Sequence, residues 1–417
     1  MEYKQFYVKG LFGLYNHTID FSKSKTPKDG ASVVMLYGKN GIGKTTILRM
    51  IDGIMSLNFS EFRKVKFEET SLEFSNNDIL KVKSFYRKNG DLQYLEVSFK
   101  NLAVKLHPQQ RGGLNNKEKI NEQKLVDAFE IALEDFSFEF IDTERLMKKN
   151  LKEEMLNEER RYIQGKIVSR KKVKESTYLV DKVKRFITES QVYNTRYFTS
   201  EEPALFDKIL YNIENPITFT STSLKKRISS IVKFDKDYET KRLGLAQEKW
   251  DKRKLNLILN NEQKKKTPSI QKLTVINSYL EVIESRLRER VSLAERLLNF
   301  ERILNNFLSD KSIIVSKEKG FEIESINGDN ISETKLSTGE YHLLYLSVLT
   351  LCTTVMGTVI AIDEPEMSMH VNWQNNLVNA LVRISSKANP QFIFATHSPD
   401  IAANYSNSMQ TEFHEQN

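Results

Sequence analysis

Gly38-Lys39-Asn40-Gly41-Ile42-Gly43-Lys44-Thr45 decides how the rest of the chain is read. The stretch fits the pattern G-x-x-x-x-G-K-[ST], in which glycines let successive backbone N–H groups turn inward around phosphate oxygens. Ser32-Val33-Val34-Met35-Leu36-Tyr37 before it is short, β-branched and apolar on both faces, as in a strand buried within a parallel sheet. A helix is expected over residues 44–57, and its N-terminus presents a positive dipole end to the loop. Gly38, Asn40, Gly41, Gly43, Lys44, Thr45 and Thr46 are therefore the candidate phosphate-binding residues. The pattern puts Lys44 on the β- and γ-phosphates of a nucleotide and the Thr45 hydroxyl on Mg2+.

The second half of such a site lies far downstream. Thr358-Val359-Ile360-Ala361-Ile362 reads as another buried strand and delivers Asp363 and Glu364 at its C-terminal end. Asp363 is the second candidate Mg2+ ligand, and Glu364 is the candidate catalytic group that polarises an attacking water. Leu336-Ser337-Thr338-Gly339-Glu340 opens an expected helix, with Ser337 standing 26 residues before Asp363. Thr396-His397-Ser398-Pro399 closes the expected strand 391–395, with His397 33 residues after Glu364.

In this order the four motifs resemble those of the ATP-binding-cassette superfamily, with its signature sequence and switch histidine. The wording Asp363-Glu364-Pro365-Glu366-Met367-Ser368-Met369-His370, with Leu-Ser-Thr-Gly-Glu and Thr-His-Ser-Pro, is similar to the SMC/RecF/OLD-like (overcoming-lysogenisation-defect) group. Val8-Lys9-Gly10-Leu11-Phe12-Gly13 followed by Ile19-Asp20-Phe21 is similar to that group's first hairpin. The resemblance implies an α/β fold: an ABC-type P-loop ATPase head, a mixed sheet with an antiparallel lobe, carrying a helical, partly coiled-coil insertion. It implies ATP and Mg2+ as cofactors and a head-to-tail dimer of the chain with itself, a higher oligomer being open. Ser337, Gly339 and Glu340 would then grip the γ-phosphate bound to the opposite subunit, and His397 would join Glu364 in catalysis. Ser368 and His370 are either interface residues or ordinary loop polar groups. Phe12 or Tyr15 either stacks on adenine or packs in the first hairpin. The glutamine that links Mg2+ to the inserted arm in this superfamily has no clear counterpart among Gln93, Gln109 and Gln110. Arg145, ending an expected strand over 136–145, is either a functional charge or a solvated one.

Three segments follow from the change of texture. Residues 1–145 form the N-terminal half of the head, 146–309 a helical basic insertion, and 310–417 the C-terminal half. The chain carries a formal net charge of +8, yet residues 145–310 hold 36 Lys and Arg against 23 Asp and Glu, so the remainder is net −5. That excess favours an acidic partner, and Arg160-Arg161, Arg170-Lys171-Lys172-Val173-Lys174, Lys225-Lys226-Arg227 and Lys264-Lys265-Lys266 are candidates to meet one, or else line a solvated helical face. No apolar run is long enough to cross a membrane, no secretory signal opens the chain, and the one cysteine, Cys352, is expected as a buried thiol in a reducing cytoplasm.

The insertion is short, broken by prolines and free of cysteine, unlike the long heptad arms and zinc hooks of chromosome-organising members. Only 20 residues follow His397, which leaves no expected room for the Toprim nuclease of the lysogenisation-defect enzymes. The layout resembles stand-alone ATPases of bacterial anti-phage systems of the PARIS, Septu and retron-associated kinds, which implies a separately encoded effector such as a nuclease as partner. A RecF-like DNA-repair or replication accessory, binding nucleic acid through the basic arm, is the alternative; a nucleotide-gated scaffold that scarcely turns over is a third.

Overall fold

The computed structural model of the protein describes residues 3–21, 31–107, 116–132, 137–142, 178–200, 207, 210–212, 214–215, 219–237, 243, 250–353, 358–385, 390–405, 409–410 and 413–415. Arg145, Gln109, Gln110, Arg160-Arg161 and Arg170–Lys174 lie outside those residues. The chain divides into two compact units, 1–171 with 337–417, and 172–336.

The first unit opens with β1 (Tyr3–Leu11), β2 (Tyr15–Asp20) and β3 (Ser32–Tyr37), followed by α1 (Lys44–Met55). Alternating sequence then gives β4 (Glu69–Phe74), β5 (Ile79–Tyr86), β6 (Leu92–Phe99) and β7 (Leu102–Leu106), before α2 (Asn116–Ala132) and β8 (Ser137–Asp142). In the second unit come α3 (Tyr178–Ser200), α4 (Ser221–Asp237), α5 (Lys252–Gln263), α6 (Ile270–Phe307), β9 (Lys311–Ser316), β10 (Gly320–Ser325) and β11 (Asn330–Ile331). The chain returns to the first unit with α7 (Thr338–Cys352), β12 (Thr358–Asp363), α8 (Val371–Ile384), β13 (Gln391–Thr396), α9 (Pro399–Ala403), β14 (Met409–Gln410) and β15 (Phe413–Glu415).

Two sheets build the first unit. The seven-stranded sheet, ordered β15-β2-β1-β4-β5-β6-β7, is antiparallel, and its inward residues alternate with outward polar ones, as the period-2 pattern of β4 and β6 requires. The five-stranded sheet, ordered β14-β3-β13-β12-β8, is parallel. Its interior strand β12, between β13 and β8, is buried at all six positions, which explains why Thr358–Ile362 reads as an unbroken apolar run. Helix α1 lays Ile47, Leu48, Met50, Ile51 and Ile54 into one core that also takes Phe6, Leu72 and Val97 from the antiparallel sheet and Val34, Ala361 and Ile393 from the parallel one. The fold class is thus the α/β mixed-sheet head with an antiparallel lobe that the motifs led us to expect.

The register of the parallel sheet matters most for function. Asp363 pairs with Asp142 of β8 on one side and Ala395 of β13 on the other, and Thr396 pairs with Tyr37 of β3. The residue before the glycine loop, the acidic strand end and the switch segment therefore emerge side by side at the carboxyl edge of the sheet, where ligands of open parallel sheets bind.

The second unit is helical with a small sheet. Along α6 the buried residues Leu273, Ile276, Leu280, Ile283 and Leu287 alternate in steps of three and four, and they pack with Leu224, Ile228 and Ile231 of α4 and Leu259 of α5. That spacing is a short coiled-coil-like seam. Further along, Val291, Ala294, Leu297 and Ile303 are buried. The boundary expected at residue 310 differs from the compact units. Strand β9 is held by α6: the Asn305 side chain accepts from Ile313 N–H at 2.7 Å and donates to its carbonyl at 3.0 Å, and Glu301 accepts from Val315 N–H at 2.8 Å. Side chains of a helix satisfying a sheet edge keep residues 311–331 with the helical unit. Cys352 ends α7 half-buried rather than fully buried. Among the described residues, no helix is long and apolar enough to cross a membrane.

Candidate functional site

The glycine loop turns into α1 with Gly43 as the residue that caps it, and no side chain takes up the first free N–H groups of that helix. Gly43 has φ +97°, and a Cβ there would stand 2.7 Å from Leu11 Cδ2 and 3.1 Å from Phe12 Cε2, so only glycine fits. Lys44 is buried and folds back on its own loop, donating to the carbonyls of Gly38 at 2.8 Å and Lys39 at 3.0 Å. Burial lowers its pKa, while Glu364, Asp363 and Glu366 oppose that shift. Gly38 and Thr46 are half-buried, and Asn40 and Gly41 are exposed at the loop's tip.

Asp363 is 2% exposed at the end of β12. Burial, followed in effect by the opposing Thr45 hydroxyl and then by the charges of Glu364 and Asp142, sets its pKa at about 6. A carboxylate this desolvated, bonded to the Thr45 hydroxyl and neighboured by two more carboxylates, presents hard oxygen donors of the kind that suit Mg2+. Arg49, one turn beyond Thr45 on α1, donates to Asp142 Oδ2 at 2.7 Å. Neither Arg49 nor Asp142 was legible as a site residue, since their position beside Asp363 depends on the pairing of β8 with β12. Gln93 stands exposed on β6 of the antiparallel sheet.

Glu364 follows at φ +50°, a left-handed conformation that costs a residue with a Cβ about 1–2 kcal/mol. Its N–H donates to Ala395 O at 2.8 Å, and its Oε2 lies 2.7 Å from Nδ1 of the half-exposed His397. Two residues on, Glu366 is buried, and its Oε1 accepts from the Thr396 hydroxyl at 2.5 Å and from the N–H groups of His397 and Ser398, both at 3.1 Å. The Ser398 hydroxyl donates to Gln374 Oε1 at 2.8 Å and accepts from Ile401 N–H to cap α9. The structure thus brings Lys44, Thr45, Asp363, Glu364 and His397 together at one sheet edge and adds Arg49, Asp142 and Glu366.

Ser337, Gly339 and Glu340 stand instead at the N-terminus of α7, against the loop 367–369. Ser337 and Glu340 form a reciprocal capping box, Ser337 N–H donating to Glu340 Oε2 at 2.7 Å and Glu340 N–H to Ser337 Oγ at 3.3 Å. A Cβ on Gly339 would lie 2.5 Å from the Ser368 carbonyl oxygen, so packing within one chain already requires the glycine. His342, buried and with a pKa lowered chiefly by that burial, pairs its Nδ1 with Met367 O at 2.7 Å. Ser368 is exposed at φ +62°, whereas the His370 side chain accepts from Asn372 N–H to cap α8. Phe12 is exposed at φ +57° beside Gly43, and Tyr15 stacks on His17 with ring centroids 5.8 Å apart. His17, buried, reaches the phosphate loop through Nε2 to Ile42 O at 3.0 Å, and burial brings its pKa down to about 4.

The sequence model of the AAA ATPase domain matches residues 1–402. The chain belongs to the AAA ATPase domain family. Within it, the motifs and topology above make this an SMC/OLD-like ABC-type ATPase domain. The family member is similar to Endonuclease GajA of Bacillus cereus (strain HuB5-5), with 22% identity over 433 residues, 94% of this chain and 56% of that protein. The chain therefore spans little more than half the length of this curated relative. Among solved structures it is similar to the Smc head domain with an extended coiled coil bound to the C-terminal domain of ScpA from Pyrococcus furiosus, at 14% identity and TM-score 0.42 over 97% of this chain and 91% of that one. The SMC head domain from Thermotoga maritima aligns over 97% of this chain and 92% of that one, at 12% identity and TM-score 0.36. Likenesses of that degree add no argument to the family assignment.

Proposed function

We propose that this ATPase domain binds MgATP and hydrolyses it slowly at sites shared by two copies of the chain, and that the resulting closure controls a separate effector, such as a nuclease, in anti-phage defence. One observation carries the chemical part: Lys44, Thr45, Asp363, Glu364 and His397 converge on the carboxyl edge of the parallel sheet, with His397 Nδ1 2.7 Å from Glu364 Oε2. Phosphates entering the loop take the Lys44 ammonium from the carbonyls of Gly38 and Lys39 and meet the unfilled N–H groups of α1. Thr45 and Asp363 would hold Mg2+, which when bound neutralises charge on the phosphates. Glu364 takes up the proton of the attacking water, and His397 orients that carboxylate. Ser337 and the N-terminus of α7, exposed and already formed, would meet the γ-phosphate on the second copy, with Gly339 and Glu340 shaping that helix end.

An endonuclease as relative supports a nuclease in the same assembly. The basic insertion supports the runner-up reading, a RecF-like accessory gripping nucleic acid. Within it Arg227 is engaged by Glu284 at 2.6 Å and exposed Lys265 by buried Glu262 at 2.7 Å, and Lys226, Lys264 and Lys266 are exposed as well. The test is a pair of variants. Lys44→Ala is expected to lose nucleotide binding, and Glu364→Gln to bind ATP while turnover falls by about 10²–10⁴-fold. Near wild-type turnover in Glu364→Gln would remove Glu364 from the mechanism.

A further inference from the structure

Glu366 is a buried carboxylate that the proposed chemistry leaves without a task. Placing such a group inside a protein is costly and is offset here by three donors converging on a single oxygen, Oε1. All three come from the turn Thr396-His397-Ser398. The same oxygen lies 3.4 Å from His397 Nδ1, whose nearer neighbour is Glu364 Oε2 at 2.7 Å. Glu364 and Glu366 leave β12 on one short segment, and its backbone is fixed by the bond from Glu364 N–H to Ala395 O and by the left-handed φ of Glu364. His397, by contrast, has a half-exposed side chain on a turn. The carboxylate therefore sets where the turn begins, and the turn sets where the imidazole meets Glu364.

We propose that Glu366 is a positioning residue of the ATPase site: it clamps residues 396–398 so that the His397 imidazole stays in register with the Glu364 carboxylate. This rests on the ATPase reading above and deepens it: Glu366 acts through the turn that carries His397.

The test is a double-mutant cycle on full-length protein, with kcat and KM for ATP and the Kd of a fluorescent ATP analogue as readouts. Glu366→Ala is expected to lower kcat by about 10–100-fold, as misplacement of a catalytic group does, with analogue affinity unchanged. Glu366→Gln keeps an oxygen that accepts the same three donors and should hold kcat within about threefold of wild type. In a His397→Ala background, Glu366→Ala should cost nothing further, because the group it positions is gone. Additive losses, or a Glu366→Gln variant as impaired as Glu366→Ala, would overturn the proposal. Should Glu366→Ala fail to fold, Thr396→Val removes one of the three donors and enters the same cycle with the same expected non-additivity. A wild-type protein with no ATP hydrolysis sinks the ATPase reading and this inference together; an active wild type with additive losses sinks only this one.

Discussion

His17→Gln separates a structural claim about the phosphate loop from its chemistry. In the native protein His17 is buried, pairs with Ile42 O at 3.0 Å and has a pKa of about 4. An unfolded histidine titrates near 6.5, so below that pH the unfolded chain binds a proton that the folded chain refuses. The sign follows: His17 costs nothing above about pH 7, and stability is lost as pH falls from about 6.5 towards 4. A unit of pKa shift corresponds to about 1.4 kcal/mol, giving about 2 kcal/mol by pH 5 and about 3 kcal/mol by pH 4. Glutamine can donate to the same carbonyl without titrating. Urea unfolding of wild type and His17→Gln at pH 7.5, 6 and 5 should therefore show a stability difference that is constant at the upper end and moves by about 2 kcal/mol in favour of the variant by pH 5. Other groups cancel in the comparison. Parallel pH dependence of the two proteins, or a His17 ring resonance titrating near 6.5, would refute the reasoning.

Glu333 runs the opposite way: buried, and accepting from Val180 N–H at 2.9 Å, it has its pKa raised to about 7, chiefly by burial. Its contribution is present below about pH 4.5 and is lost as pH rises through 7, so Glu333→Gln should be more stable than wild type at pH 8 and level with it at pH 4.5, by the same urea measurement. Reversing the charge of exposed Lys264 and Lys266 should weaken capture of an acidic partner while ATP turnover stays at the wild-type rate; duplex DNA binding would fall by orders of magnitude between about 50 and 200 mM salt, and a packed protein interface much less.

What could be read in the sequence was local. The apolar strand 32–37, the glycine loop and the helix beginning at Lys44 are neighbours in the chain, and each is specified by its own residues. The acids after Thr358–Ile362 and the histidine after Gln391–Ala395 are legible for the same reason, because a buried strand announces what it delivers at its end. The rest depended on pairing between distant segments. Asp142 becomes a neighbour of Asp363 only through the register of β8 on β12, and Arg49 then joins it from one turn beyond Thr45. The burial of Glu366 follows from donors about thirty residues away. His17 lies in an alternating strand that gives no sign of the loop carbonyl it meets. The strands at 311–325 carried the texture of the head, yet the side chains that satisfy their edge belong to α6, information held by Glu301 and Asn305 rather than by the strands themselves.

The central claim is that each site needs two chains, one supplying Lys44 and Asp363 and the other Ser337. Equal amounts of Lys44→Ala and Ser337→Arg protein, each inactive alone, should regain ATP hydrolysis on mixing. Random pairing leaves one intact composite site in half of the dimers, so phosphate release should reach about a quarter of the wild-type rate at the same total concentration. A mixture no more active than the two variants measured separately, while wild type hydrolyses ATP, would contradict the shared site.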